Sequence, residues 1–137
     1  MTLLTPDTDM CIYLMEGRYP SVAERMSEIP LDQLAISAIV IAELRFGALK
    51  SARATANLAR LDTFLAPFRP LLFDASCATH FAEAKLFLQR RGKLIGPMDL
   101  LIAATALAND ATVVTNNVKE FSRVPGLRVE NWTIPTG

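Results

Sequence analysis

Three acidic residues, each explicable by local structure when taken alone, gain a chemical meaning when taken together. Asp7 lies in Thr5-Pro6-Asp7-Thr8-Asp9, directly after a first apolar run and before a helical pattern. Glu43 lies inside a helical stretch, with Ile39 and Val40 one turn before it and Phe46 and Gly47 one turn after. A carboxylate sharing a face with apolar neighbours is costly to bury without a partner, and Arg45 projects roughly 200° round an ideal helix from it. Asp99 takes the third position of a helix that begins at Pro97, and its face continues through Ile102, Ala103 and Ala106. Each has an alternative without function. Asp7 suits a helix N-cap, Glu43 a snorkelling or distantly paired side chain, and Asp99 a favourable place on the helix dipole worth about 0.3 to 1 kcal/mol. Together they predict a dense negative cluster without a local basic partner. Such a cluster calls for a cation, and oxygen ligands without Cys or His select a hard one such as Mg2+ or Mn2+. The chemistry implied is phosphate chemistry.

The elements that must bring these residues together follow from alternation. Short apolar runs at Leu3 to Leu4, Leu34 to Ile36, Leu71 to Phe73 and Thr112 to Val114 predict strands. Helical spacing falls at Asp9 to Met15, Ser21 to Glu28, Ala38 to Leu49, Thr55 to Leu65, Ala75 to Arg90 and Pro97 to Ala108. Strands alternating with helices predict an α/β domain with a mostly parallel sheet, whose functional crevice lies beyond the carboxyl ends of the strands. Ser37 and Asp74 are plausible N-caps, Gly92 follows a basic helix end, and Gly96-Pro97 suits a helix start. Thr115-Asn116-Asn117 follows the last of these strands and so reaches the same edge. These residues fit either a supporting role at the acidic cluster or an Asx turn before a short helix.

The 137 residues fit a single domain over 1–137, with 51% apolar and 20% charged residues giving a globular composition. No apolar run is long enough for about 30 Å of hydrocarbon, and no basic leader precedes the first run, so a soluble cytoplasmic protein is expected. Cys11 and Cys77 lack zinc spacing. Fourteen basic residues balance fourteen acidic ones, so any attraction for nucleic acid must be local. Arg90, Arg91 and Lys93 form the clearest basic cluster, either an RNA contact or a solvated helix end. A single histidine, His80, excludes two-histidine acid-base cleavage within one chain.

The sequence resembles the PIN-domain ribonucleases, and among them the VapC toxins of VapBC toxin-antitoxin pairs. The resemblance covers nearly the whole chain. It rests on Asp7-Thr8-Asp9 with Cys11-Ile12-Tyr13, on Ile41-Ala42-Glu43-Leu44 with Phe46-Gly47, on Gly96-Pro97-Met98-Asp99 with Ile102-Ala103, and on Thr115-Asn116-Asn117 through Glu120-Phe121. The ending, Val124-Pro125-Gly126-Leu127 and Glu130-Asn131-Trp132, resembles the branch associated with cutting initiator tRNA in its anticodon stem-loop. The resemblance implies a PIN-like three-layer α/β domain and a Mg2+ or Mn2+ site on Asp7, Glu43 and Asp99. It also implies metal-assisted endoribonuclease activity that inhibits translation, a homodimer, and a VapB-type antitoxin whose tail covers the acidic site.

Two departures bear on that site. The usual Asp-Thr-Asn is Asp7-Thr8-Asp9 here, and the fourth acid of many PIN domains is matched by Asn117, so one firmly held ion is expected. Asp9 fits either an enlarged metal site or a solvated first helical turn. Two other functions fit parts of the pattern. Asp7-Thr8-Asp9 after a strand also resembles haloacid dehalogenase phosphatases, although the chain lacks a convincing later Asp pair. A catalytically idle PIN-like module that binds RNA or a partner is the other.

Overall fold

The computed structural model describes residues 2–135. In chain order it runs β1 (Leu3–Pro6), α1 (Thr8–Glu16), α2 (Pro20–Glu28), β2 (Ala35–Ser37), α3 (Ala38–Lys50), α4 (Ala54–Leu65), β3 (Arg69–Leu71), α5 (Ala75–Arg90), α6 (Pro97–Ala108), β4 (Ala111–Val114), α7 (Val118–Phe121) and β5 (Arg128–Glu130), with a 3-10 turn at Leu31–Gln33. Every strand pairing is parallel. β1, β4 and β5 form one ladder in the order β1-β4-β5, β2 pairs with β3, and a bridge from Leu4 to Leu34 joins the two groups. The spatial order is therefore β3-β2-β1-β4-β5, with β1 central.

Alternation along β4 shows why the sheet is a middle layer. Ala111 and Val113 belong to a core shared with Val40 and Leu44 of α3, Leu88 of α5 and Ile102 of α6. Val114 turns to the other face, into a smaller core with Met10, Val22 and Trp132. Successive strand side chains point to opposite faces, so a strand buried in both cores is mostly apolar, and the one polar side chain of β4, Thr112, accepts from Arg128 at 3.3 Å. Burying each Val, Leu or Ile contributes roughly 1.5 to 3 kcal/mol before entropic costs. The PIN-like three-layer α/β architecture is thus present.

Local chemistry ends the helices where expected. Ser37 accepts from Val40 N–H at 3.2 Å, and Asp74 accepts from Cys77 N–H at 3.1 Å. Pro97 opens α6, and Gly92, with φ 62, turns the chain after α5. Three expectations need correction. The third strand is Arg69–Leu71 rather than Leu71 to Phe73, β5 was not anticipated, and the apolar face through Glu43 does not continue inward, because Phe46 is 64% exposed.

Candidate active site

The sheet places Asp7 and Thr115 side by side. Asp7 N–H donates to the Val114 carbonyl at 3.0 Å, carrying the β1–β4 ladder one residue beyond Pro6. Thr115 N–H donates to the Glu130 carbonyl at 2.8 Å, doing the same for β4 and β5. The two residues leave adjacent parallel strands at their carboxyl ends, and Thr115 Oγ1 donates to Asp7 Oδ2 at 2.5 Å. Asp7 Oδ1 meanwhile accepts from Met10 N–H at 2.9 Å. The cap expected of Asp7 is present and leaves the residue at the carboxyl edge, so the two readings are compatible. Burial pushes its carboxyl up to about 6; the Thr115 and Met10 hydrogen bonds oppose that shift, while Asp9 and Asp99 add to it.

Glu43 sits in the second turn of α3, half-buried, where Thr8 Oγ1 donates to its Oε1. Arg45 is engaged elsewhere, bonding Asp62 at 2.7 Å. Asp99 lies in the first turn of α6, where the dipole favours the charged form. Its carboxyl is nevertheless pushed up to about 6, by burial first and then by Glu120, Glu43 and Asp9. Desolvation and like charge outweigh the dipole. These couplings place Asp7, Asp9, Glu43, Asp99 and Glu120 in one electrostatic neighbourhood at the carboxyl edge of the sheet. Among the described residues the ion pairs lie elsewhere, joining Arg18 to Glu16, Arg25 to Glu130, Arg45 to Asp62 and Arg128 to Asp110.

Glu120 joins the site although its position in the sequence gives little sign of it. It lies three residues after Asn117, and Asn117 Nδ2 donates to its Oε2 at 2.8 Å. The position matched by an amide is therefore backed by an acid one helical turn later. The signal in the sequence was a lone carboxylate in the first turn after a strand's carboxyl end. Asn117 also donates its backbone N–H to Thr115 Oγ1 at 2.8 Å, so it supports the Thr115–Asp7 bond. Asn116 faces away and accepts from Asn131 and Thr133, both at 3.1 Å. Asp9 is exposed on α1. Arg90, Arg91 and Lys93 are exposed at the end of α5 and just after it, and the Arg91 guanidinium lies 3.5 Å over the Phe87 ring. Cys11 is fully buried, and burial with nearby Asp7 pushes its thiol well above the ordinary range, which removes it as a nucleophile.

The donor set suits a hard divalent cation, being all oxygen and, among the described residues, in no ion pair with a basic side chain. Among the described residues no three Asp, Glu, His or Cys side chains come close enough to enclose an ion by themselves. A hydrated Mg2+, which keeps several waters and takes one or two carboxylates, does not require such a cage. A cavity of about 290 Å³ opens beside Glu43, between α1, α3 and α4, walled by Ile12, Met15, Leu44 and Leu61 with Arg60 at its side.

The profile of the PIN domain matches residues 4–127, and this chain belongs to that family. Within it the chain falls among the VapC ribonucleases. It is 40% identical over 127 residues to Ribonuclease VapC2 of Rickettsia felis, covering 92% of this chain and 95% of that protein. It is 38% identical over 127 residues to the tRNA(fMet)-specific endonuclease VapC of Shigella flexneri, covering 93% and 96% of the two chains. A chain in the crystal structure of DNA-bound VapBC from Salmonella typhimurium superposes with a TM-score of 0.90 at 35% identity, covering 96% of this chain and 99% of that one. The dehalogenase alternative is thereby set aside. PIN-domain ribonucleases depend on divalent metal, and among the described residues no helix is long and apolar enough to cross a membrane.

Proposed function

We propose that this chain is the toxin of a VapBC pair, a cytoplasmic endoribonuclease of one PIN domain that cuts tRNA using Mg2+ or Mn2+ held at Asp7, Glu43 and Asp99. The observation that carries the assignment of residues is the geometry: Asp7, only 6% exposed, leaves the carboxyl end of β1 bonded to Thr115 and Met10, Thr8 beside it donates to Glu43, and among the described residues no ion pair joins Asp7, Glu43 or Asp99. When bound, the ion supplies positive charge at a phosphodiester oxygen and makes a water acidic enough to attack. Asp7, held at both oxygens by Thr115 and Met10, presents a fixed charge at the sheet edge. Glu43, tied through one oxygen, keeps the other to accept a proton from the incoming water. Asp99 and Glu120 complete the charge, Asn117 fixes Glu120, and Asp9 lies at the solvent side.

The substrate comes from the relatives: a 38% identical protein bears the name tRNA(fMet)-specific endonuclease, which supports initiator tRNA, cut in the anticodon stem-loop to inhibit translation. The VapBC complexes among the similar structures support a VapB-type antitoxin partner, and a homodimer is the assembly this reading expects. The test is cleavage of initiator and elongator tRNA by antitoxin-free protein, with Mg2+, with Mn2+ and with a chelator. Cleavage that needs the ion, prefers the initiator and disappears in Asp7→Asn and Asp99→Asn is the expected result. Full cleavage by either variant would reject the assigned residues, and binding of tRNA without cleavage would favour the idle module.

A further inference from the structure

We propose that Thr8 is a positioning residue whose hydroxyl sets the place of the Glu43 carboxylate relative to Asp7; the inference rests on the metal-site reading above. Thr8 is the first residue of α1 and follows Asp7 directly, and its Oγ1 donates to Glu43 Oε1 across 35 positions of sequence. Three facts make that bond consequential. Glu43 projects from the middle of α3, on a side chain with three rotatable torsions that freely sample several positions. The arginines nearest it are engaged elsewhere, Arg45 with Asp62 at 2.7 Å and Arg60, at the side of the cavity, with the Met15 carbonyl at 3.3 Å. Asp7, by contrast, is already fixed by the β1–β4 ladder, by Met10 N–H and by Thr115.

Thr8 thus transfers the fixed position of Asp7 to a carboxylate on another element. A threonine suits this task because its branched Cβ restricts the first torsion, so the donor starts from few orientations. The bond occupies one Glu43 oxygen and leaves the second free for a cation or a water. Carboxylate ligands held in this way lose metal affinity by about 10- to 100-fold when the supporting donor is removed. The sequence places Thr8 within the Asp7-Thr8-Asp9 motif, but its partner 35 positions away is visible only in the fold.

The test compares Thr8→Val, which keeps shape and loses the donor, with Thr8→Ser, which keeps the donor. Mn2+ binding to the full chain, free of antitoxin, is followed by titration calorimetry, with thermal melting alongside. Thr8→Val is expected to weaken Mn2+ binding by about 10- to 100-fold, and Thr8→Ser to stay within about threefold of wild type. In a Glu43→Gln background, Thr8→Val should cost no further affinity, because the group it positions is already altered. Cleavage should lose kcat while KM for RNA holds. Wild-type Mn2+ affinity in Thr8→Val, equal losses in the Val and Ser variants, or an undiminished loss in the Glu43→Gln background would each overturn the proposal. The background comparison decides the matter even if Thr8→Val melts early. Asp99→Asn separates the two readings: if it keeps wild-type Mn2+ affinity the metal site itself is wrong, whereas its loss beside an unaffected Thr8→Val rejects the role of Thr8 alone.

Discussion

Asp7 and Asp74 are the same local device used at the centre and at the edge of the sheet. Each follows a strand and caps the next helix by accepting the backbone N–H three residues on, at 2.9 Å from Met10 and 3.1 Å from Cys77. Their carboxyls move in opposite directions. Asp74 is exposed, and the Cys77 hydrogen bonds hold it below the ordinary range. Asp7 is only 6% exposed and is pushed up to about 6. The cause of the difference is position in the sheet. β3, before Asp74, lies at the edge, whereas β1, before Asp7, is central and delivers its residue among Thr115, Asp99 and Asp9. Capping is decided locally; what else a cap can do depends on the strands beside it.

The sharpest break in the comparison is catalytic. Asp7→Asn keeps a competent cap, since Asn caps as well as Asp, yet it should lower metal-dependent tRNA cleavage by about a thousandfold, the scale of several kcal/mol of lost charge stabilisation. Asp74→Asn should stay within about twofold of wild type in the same assay, because its carboxylate takes no part in the site. Comparable losses at both positions would mean that capping, rather than charge at the site, is what cleavage requires.

Stability should invert the ranking. Asp7→Asn removes a buried charge without a cationic partner and retains an oxygen for Met10 N–H, so in metal-free buffer at pH 8 it should stabilise the fold by on the order of 2 kcal/mol, read by urea melting. Asp74→Asn gives no such gain.

The pH dependence follows from the sign of each shift. The folded pKa of Asp7 is raised from 3.8 to about 6, so the folded chain binds that proton more tightly than the unfolded one. Its contribution to stability is therefore present at low pH and lost as pH rises from about 4 through about 6. Asp99 adds in the same direction. Asp74, with its lowered value, contributes stability that is lost as pH falls below the ordinary carboxylate range. Metal-free melting should improve from pH 7 to pH 5, and saturating Mg2+ should flatten that trend. The smallest effect concerns Glu120, the charge that acts most on Asp99. Glu120→Gln should bring the Asp99 titration down from about 6, as followed by carboxyl carbon NMR.

Much of this was legible before any coordinates, for physical reasons that particular residues make plain. β1, β2 and β4 are apolar runs with a polar residue or proline at their ends, and α6 announces itself through Gly96-Pro97. β3 was displaced because Arg69 and Pro70 resemble no buried strand, and an edge strand tolerates both. β5 has one apolar residue between Arg128 and Glu130, a pattern without period, and it too lies at an edge. Asp7, Glu43 and Asp99 could be singled out together, because two lie at helix starts, the third shares a helix with apolar residues, and all three fall in motifs of the family. Glu120 could not, since an acid in a short polar helix looks solvated, and only the fold brings it to Asp99. Thr115 could be placed near the cluster by its position after a strand, but its bond to Asp7 and that of Thr8 to Glu43 join partners 108 and 35 positions apart, which only the fold brings together.

Mn2+ titration of wild type, Asp7→Asn and Asp74→Asn, followed by electron paramagnetic resonance of the free ion, puts the two caps side by side in one readout. The account predicts that wild type and Asp74→Asn bind alike while Asp7→Asn binds at least about tenfold more weakly. Equal binding by all three would contradict it, because the buried cap would then differ from the exposed one in its surroundings and not in what it holds.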